Sequence, residues 1–162
     1  MLKRWADAVR RNHALEHATV AVLLARHGPR RLAGRASVDG FLIASDVDSE
    51  ELTSCAREAL ERLQAGQASL AVSPLCGTNI AVSGLMAAAA ATAALAKGKE
   101  RDGRFANAFM AAMVAVVAAQ PVGRLVQEHL TTRPDLDDVE VIDTKPVFGG
   151  LRKVRTRSVI RA

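Results

Sequence analysis

The sequence predicts an α+β protein: one small mixed domain built from both flanks of a two-helix transmembrane hairpin. Two observations lead to this prediction. Residues 80–96 and 105–123 are two neighbouring runs without a charged side chain, and the flanking sequence is charged and partly alternates like β-strands. We therefore divide the chain into an N-terminal α+β segment (1–74), a membrane hairpin (75–123) and C-terminal strands (124–162).

The average composition conceals this division. Of the 162 residues, 49% are apolar and 24% are charged, values that exclude a disordered or fibrous chain. Aromatic residues make up only 3%, and the net charge is +5. This charge suits an anionic surface, but the chain lacks stacking aromatics and any recognisable nucleic-acid module, so we expect no nucleic-acid partner.

The first predicted element is a helix over residues 2–27. It ends at His27-Gly28-Pro29, a typical stop signal. A helical wheel places the charged residues of its first half on one side. The residues predicted to share the opposite, apolar face are Trp5, Val9, Val20, Leu23 and Leu24.

A β-hairpin and a capped helix follow. Asp39-Gly40 lies between two short runs that suit strands, which is a strong hairpin signal. Asp48 or Ser49 then caps a helix that Gly66 ends.

Three further strands are predicted at 67–73, 138–143 and 151–160. An even number of membrane crossings places both flanks of the hairpin on the same side. The C-terminal strands can therefore complete a sheet that begins before the hairpin.

Each uncharged run is long enough to cross a bilayer of about 30 Å as a helix. The expected partners are the lipid bilayer and, through small residues such as Gly84, Ala88 and 91–94, a second copy of the chain. A buried helical pair in a soluble oligomer is the alternative, because both runs are rich in alanine.

The soluble domain is predicted to be cytoplasmic. The first seventeen residues carry charge throughout, which disfavours a cleaved signal peptide, and two isolated cysteines fit a reducing compartment. The positive-inside rule favours the opposite orientation by a narrow margin. The basic residues compared are Lys97, Lys99, Arg101 and Arg104 in the loop, against Arg62, Arg124 and Arg133 in the flanks.

The sequence His13-Ala14-Leu15-Glu16-His17 has the order H-x-x-E-H of inverted zinc peptidases. On a helix, His13 and His17 share a face and can bind one Zn²⁺, while Glu16 can act as the base that activates a bound water. The alternative is a structural cluster in which these side chains and Asn12 satisfy one another or nearby backbone.

A complete zinc site needs a third protein ligand, and Cys76 or a distant carboxylate is expected to supply it. His129, Asp46 and several glutamates are further candidates that spacing does not separate. Thr78 or Asn79 is expected to cap the first membrane helix, and Cys55 to lie in the core.

One face of the last strand carries Lys153, Arg155 and Arg157. Such a face is ordinarily solvated. Close to a bilayer it could meet anionic lipid head groups.

Several of these segments together resemble a family of small uncharacterised bacterial membrane proteins with a domain of unknown function. The segments are NHALEHATV at 12–20, DGF at 39–41, ALERLQAGQASLAVSPLCGTN at 59–79 and TTRPDLDDVEV at 131–141. The resemblance implies a multi-pass protein of the bacterial cell membrane. The positions that match its motifs are Asn12, His13, Glu16, His17, Cys76, Gly77, Thr78 and Asn79. The segment HALEH alone is also similar to insulinase-like zinc peptidases.

Two functions follow as hypotheses. The first is a non-enzymatic membrane module whose His/Glu cluster is structural. The alternative is a zinc-dependent membrane hydrolase or peptidase, in which His13, His17 and Cys76 bind the metal and Glu16 is catalytic.

Overall fold

The computed structural model describes residues 2–97 and 103–159, which divide into two compact units. The α+β unit combines the chain up to Ser73 with the chain from Glu128 onward, and the helical hairpin unit is Pro74–Gln127. The α+β unit contains a four-stranded antiparallel sheet and two long helices. The predicted fold class is therefore confirmed.

Helix α1, Leu2–His27, has the predicted bounds and ends at Gly28, whose φ is +73°. Its buried surface differs from the predicted face, because Trp5 is 60% exposed. The core members of α1 begin only at Ala14, so the first turns of the helix lie outside the core. The core residues of α1 are Ala14, Leu15, Ala18, Val22 and Leu23.

Strands β1, Ala33–Ser37, and β2, Gly40–Ala44, form the predicted hairpin. Gly40 opens β2 with a φ of +131°, a conformation that favours glycine. A Cβ at this position would also overlap the Val154 carbonyl oxygen on the neighbouring strand.

Helix α2, Ser49–Gln64, begins at the predicted cap. The Asp48 carboxylate accepts a hydrogen bond from the backbone N–H of Glu51 at 2.8 Å. One face of α2 enters the core, and Cys55 on that face is fully buried, as predicted.

The strand predicted at 67–73 is wrong. Ala68–Ala71 form a 3₁₀ turn, in which the Leu70 N–H donates to the Gln67 carbonyl. The residues that approach the core, Leu70 and Ala71, are consecutive, whereas a half-buried strand needs alternate ones.

Strands β3, Val139–Phe148, and β4, Leu151–Ser158, complete the sheet in the order β1-β2-β4-β3. The pairing of β2 with β4 confirms that the C-terminal strands join a sheet begun before the hairpin. Strand β3 continues through Pro146, which is tolerated because β3 is an edge strand with bulges near this residue.

The helical hairpin unit consists of α3, Gly77–Lys97, and α4, Arg104–Val126. Both helices are long and apolar enough to span a membrane. Large apolar side chains point outward from both, as lipid-facing residues would: Ile80, Leu85, Phe105 and Val117 are each more than two-thirds exposed. Lys99 and Arg101 of the predicted loop lie outside the described residues.

The two helices meet along a seam of small residues on α4: Ala108, Ala115, Ala119 and Gly123 are buried. A Cβ at Gly123 would overlap the side chain of Asn79, so glycine permits close approach there. The buried Gln127 donates to Asn79 Oδ1 at 2.9 Å. Gly84 and Ala88, which are predicted to contact a second copy, are exposed.

The predicted cap at Thr78 or Asn79 is wrong, because α3 begins earlier, at Gly77. Both residues lie in its first turn. The Asn79 side chain instead donates to the Pro74 carbonyl at 3.1 Å.

Candidate functional site

The middle of α1 brings His13, Glu16 and His17 into the interior of the α+β unit. His17 and Glu16 are buried, and His13 is half-buried. The two imidazole rings pack edge-on, with centroids 4.3 Å apart and planes inclined at 61°. A ring nitrogen of His13 and one of His17 lie within 4.8 Å of each other. The predicted i, i+4 pairing of the histidines is therefore present.

Each histidine forms a hydrogen bond through Nδ1 to a backbone carbonyl. His13 Nδ1 lies 2.9 Å from the Thr131 oxygen, and His17 Nδ1 lies 2.8 Å from the Ala71 oxygen. A carbonyl oxygen can only accept, so Nδ1 must carry the proton in both rings. In a neutral ring, Nε2 then has the lone pair, which is the tautomer that a metal-ligating histidine adopts when a carbonyl fixes its other nitrogen.

Glu16 faces the sheet. Its carboxylate packs against the backbone of Gly34 in β1, where a Cβ would overlap Oε1. With only 7% of its surface exposed, Glu16 is a buried acid within one helical turn of both histidines. A buried carboxylate in this setting can serve as a proton acceptor or as part of a polar network.

Asn12 anchors the same stretch of α1 to the β1–β2 turn and to β4. Its Nδ2 donates to the carbonyls of Ser37 at 2.8 Å and Val38 at 3.2 Å. Its Oδ1 accepts from the Thr156 hydroxyl at 2.7 Å. The sequence placed Asn12 in the cluster, but these partners are distant along the chain and carry no sequence signal.

Cys76 belongs to the helical hairpin unit, where it is buried and directly precedes α3. The Thr78 N–H points at its Sγ at 3.4 Å. Its predicted role as the third ligand stays a prediction. Among the other candidates, Asp46 pairs with Arg30 at 2.9 Å, and the backbone carbonyl of His129 accepts from Arg10 at 2.9 Å.

Three basic side chains of β4 each face a carboxylate, whereas Arg152 donates to the backbone carbonyls of Ser45 and Gly150. Lys153 pairs with Asp39 at 2.8 Å and holds the pKa of that carboxyl below its ordinary value. Arg155 makes two contacts with Asp143 and lowers the pKa of Asp143 in the same way. Arg157 lies 3.5 Å from Glu140. The positive charges of Lys153, Arg155 and Arg157 are therefore largely balanced by neighbouring carboxylates.

A second group of ligand-type side chains escapes prediction from sequence. From the sequence, His27 is interpreted as the end of a helix and Cys55 as a core residue. Glu51 is interpreted as an acid that stabilises the first turn of a helix. The structure places the three together where α1 ends beside α2. The signal available in the sequence is the i, i+4 spacing of Glu51 and Cys55, which is common in helices.

Comparison with known proteins yields one relative of interest. The chain is 35% identical over 134 residues to an uncharacterized protein of Picosynechococcus sp. (strain ATCC 27264 / PCC 7002 / PR-6). The alignment covers 76% of this chain and 65% of that relative, so this chain spans less than two thirds of the relative's length. No solved structure matches the chain.

The resemblance to a bacterial family of unknown function is confirmed, whereas the similarity of HALEH to zinc peptidases stays a prediction. Residues 8–144 match a family model described as a domain of unknown function, DUF6391. Because this match extends over most of the sequence, the chain belongs to the DUF6391 family.

Proposed function

We propose that this chain is a two-span protein of the bacterial cell membrane and a non-enzymatic module, in which the HxxEH stretch of α1 has a structural role. The membrane assignment is supported by the length and composition of α3 and α4 and by their exposed apolar side chains. The bilayer is the proposed partner, with the α+β unit in the cytoplasm.

The observation that carries the structural role is the pair of imidazole–carbonyl hydrogen bonds. Ala71 lies shortly before α3 begins, and Thr131 lies shortly after α4 ends. His17 and His13 therefore bind the two segments through which the chain leaves and re-enters the α+β unit. The helical hairpin divides the sequence of this unit into two segments. Two neighbouring side chains of α1 hold the end of the first segment and the start of the second.

The second candidate function is zinc-dependent hydrolysis. The Nδ1-protonated tautomer of both rings favours it, because the lone pair on each Nε2 then suits a metal ion. In this proposal His13, His17 and Cys76 are the ligands and Glu16 is the general base. Nitrogen and thiolate donors are the set that Zn²⁺ prefers.

Metal content and unfolding separate the two functions. The full chain is purified in detergent, its zinc, cobalt and iron are measured by mass spectrometry, and its thermal unfolding is recorded with and without a chelator. If the role is structural, His13→Ala and His17→Ala should each lower the unfolding temperature. For each variant, the decrease should be the same with the chelator as without it. Lys3→Ala, at an exposed residue of the same helix, is the control and should leave the unfolding temperature unchanged.

The zinc enzyme would be favoured over the structural role by two results together. The parent would contain near-stoichiometric zinc that is lost in His13→Ala, and the chelator would lower the unfolding temperature of the parent but not of the variant. Sedimentation of the protein with membranes after alkaline extraction tests the membrane assignment separately. A protein released into the soluble fraction would contradict that assignment.

A further inference from the structure

Three potential metal ligands converge where α1 ends beside α2. His27 Nε2 lies 2.9 Å from Glu51 Oε1, and Cys55 Sγ lies 3.5 Å from the same oxygen. One ligand atom from each of the three residues lies within 4.8 Å of the other two. All three belong to the α+β unit and are separate from the histidine pair in the middle of α1.

The secondary structure positions these donors. Glu51 and Cys55 are one helical turn apart on the same face of α2, and His27 is the last residue of α1. Donors bound to a tetrahedral Zn²⁺ at about 2.0–2.3 Å lie roughly 3.3–3.8 Å from one another. The separation of 3.5 Å between Cys55 Sγ and Glu51 Oε1 lies in this range, and that of 2.9 Å between His27 Nε2 and Glu51 Oε1 is slightly shorter, so small side-chain rotations suffice to admit an ion.

The cluster is accessible from one side. The side chains of His27 and Glu51 are 31% and 30% exposed, whereas Cys55 is fully buried beneath them. An ion can therefore enter past the carboxylate and keep a water as its fourth ligand. Burial raises the pKa of the Cys55 thiol to about 11, so at neutral pH the thiol is protonated until a cation displaces the proton.

Arg26 is the competitor for this site. Its guanidinium donates to Glu51 Oε1 at 3.0 Å, where an ion would bind. Arg26 also contacts Ser54 Oγ at 3.1 Å and Glu58. Ser54 and Glu58 can hold the guanidinium in place when the Glu51 carboxylate rotates to bind a metal ion.

We propose that His27, Glu51 and Cys55 form a binding site for a zinc-type divalent cation that joins the end of α1 to α2. Neutral His27 donates its Nε2 lone pair, Glu51 donates a carboxylate oxygen, and Cys55 donates its sulfur. Binding forms a metal–sulfur bond, breaks the S–H bond and releases one proton to the buffer. The site is independent of the function proposed above.

The test is Co²⁺ titration of the full chain carrying Cys76→Ser, in detergent. The sequence has two cysteines, so Cys55 is then the single thiol. We expect a thiolate-to-cobalt charge-transfer band that saturates at one equivalent and is absent after Cys55→Ala. A folded Cys76→Ser protein without this band would overturn the proposal. Binding at the HxxEH histidines cannot imitate the band, because no thiol remains for that site.

Two surface variants keep the test decisive if Cys55→Ala does not fold. His27→Ala should weaken Co²⁺ binding at least tenfold, and Arg26→Gln should strengthen it several-fold because the competing guanidinium is gone. Glu50→Gln, at an exposed acid beside Glu51, is the matched control and should leave affinity unchanged. Equal affinity in His27→Ala and the parent would overturn the site.

Discussion

Gly34 on β1 lies so close to the carboxylate of Glu16 on α1 that a Cβ at position 34 would overlap Oε1. The first prediction is therefore that Gly34→Ala displaces Glu16 and lowers the free energy of unfolding by about 1–3 kcal/mol, the usual cost of overpacking. Urea unfolding of the detergent-solubilised protein measures the change. Gly77→Ala, where a Cβ meets no atom within 4 Å, is the control.

A double variant tests the cause. In the Glu16→Ala background the space next to position 34 is open, so Gly34→Ala should cost much less than it does in the parent. Strictly additive losses would show that the clash with Glu16 is not the reason for the instability.

The elements predicted correctly are those with signals inside their own segments. Asp48 caps α2 through a contact with Glu51, only three residues away. The β1–β2 hairpin likewise depends on Asp39 and Gly40 at its own turn. The failures depend on distant packing: Trp5 is exposed because the core lies further along α1, and 67–73 form no strand because consecutive residues of this segment face the core.

For the same reason, only part of the histidine site on α1 could be predicted from the sequence. The i, i+4 spacing of His13 and His17 predicts that the rings are neighbours. Their hydrogen-bond partners, however, are backbone carbonyls of Ala71 and Thr131, and every residue has a carbonyl. Likewise His27 joins Glu51 and Cys55 only through the packing of α1 on α2.

Asn12 supplies a second prediction. Asn12→Ala removes its bonds to Ser37, Val38 and Thr156 and leaves partly buried carbonyls unpaired, so unfolding should become easier by about 2–4 kcal/mol. Thr156→Val removes only the bond to Oδ1 and should cost about 1 kcal/mol. Chemical denaturation of both variants compares the two. Equal losses would contradict the role of the bonds to the β1–β2 turn.

Acid should destabilise the α+β unit through the carboxylates that face β4. The pKa values of Asp39 and Asp143 are lowered in the folded protein, chiefly by hydrogen bonds from Lys153 and Arg155. A lowered folded pKa means that the contribution is present above the ordinary carboxyl pKa of about 4 and is lost as the pH falls through the folded value.

The measurement is the urea midpoint between pH 6 and pH 3, in the parent and in the Asp143→Asn variant. We expect a smaller decline in Asp143→Asn, because one of the contributing carboxylates is gone. Identical pH profiles would remove the Asp143–Arg155 pair from the explanation.

High pH should lower the stability of the α+β unit through ionisation of the Cys55 thiol. Burial raises the pKa of its thiol from 9.0 to about 11, so the folded state favours the neutral form. The associated stability is fully present below pH 9 and is lost as the pH rises toward 11. In the presence of a chelator, the parent should lose more stability between pH 8 and pH 10.5 than Cys55→Ala does. Equal losses in the parent and in Cys55→Ala would contradict this role of the Cys55 thiol.

The helical hairpin unit offers a prediction that depends on one glycine. Gly123 on α4 faces Asn79 on α3, and a Cβ there would overlap Asn79 Oδ1 and lie 3.3 Å from the Asn79 Cα. Because the second contact is with backbone, Gly123→Ala should separate the helices at this level and break the bond from Gln127 to Asn79. Thermal unfolding in detergent, followed by circular dichroism, should therefore begin at a lower temperature.

Gly84→Ala distinguishes packing from helix propensity. Both glycines lie inside helices, where alanine is intrinsically favoured by about 1 kcal/mol, but a Cβ at Gly84 meets no atom within 4 Å. Gly84→Ala should therefore be neutral or stabilising in the monomeric protein, whereas Gly123→Ala is destabilising. In the Asn79→Ala background, Gly123→Ala should cost less than it does in the parent, because the overlapping amide is absent while the backbone contact remains. Two glycine variants with the same unfolding temperature would show that α3 and α4 do not approach through Gly123.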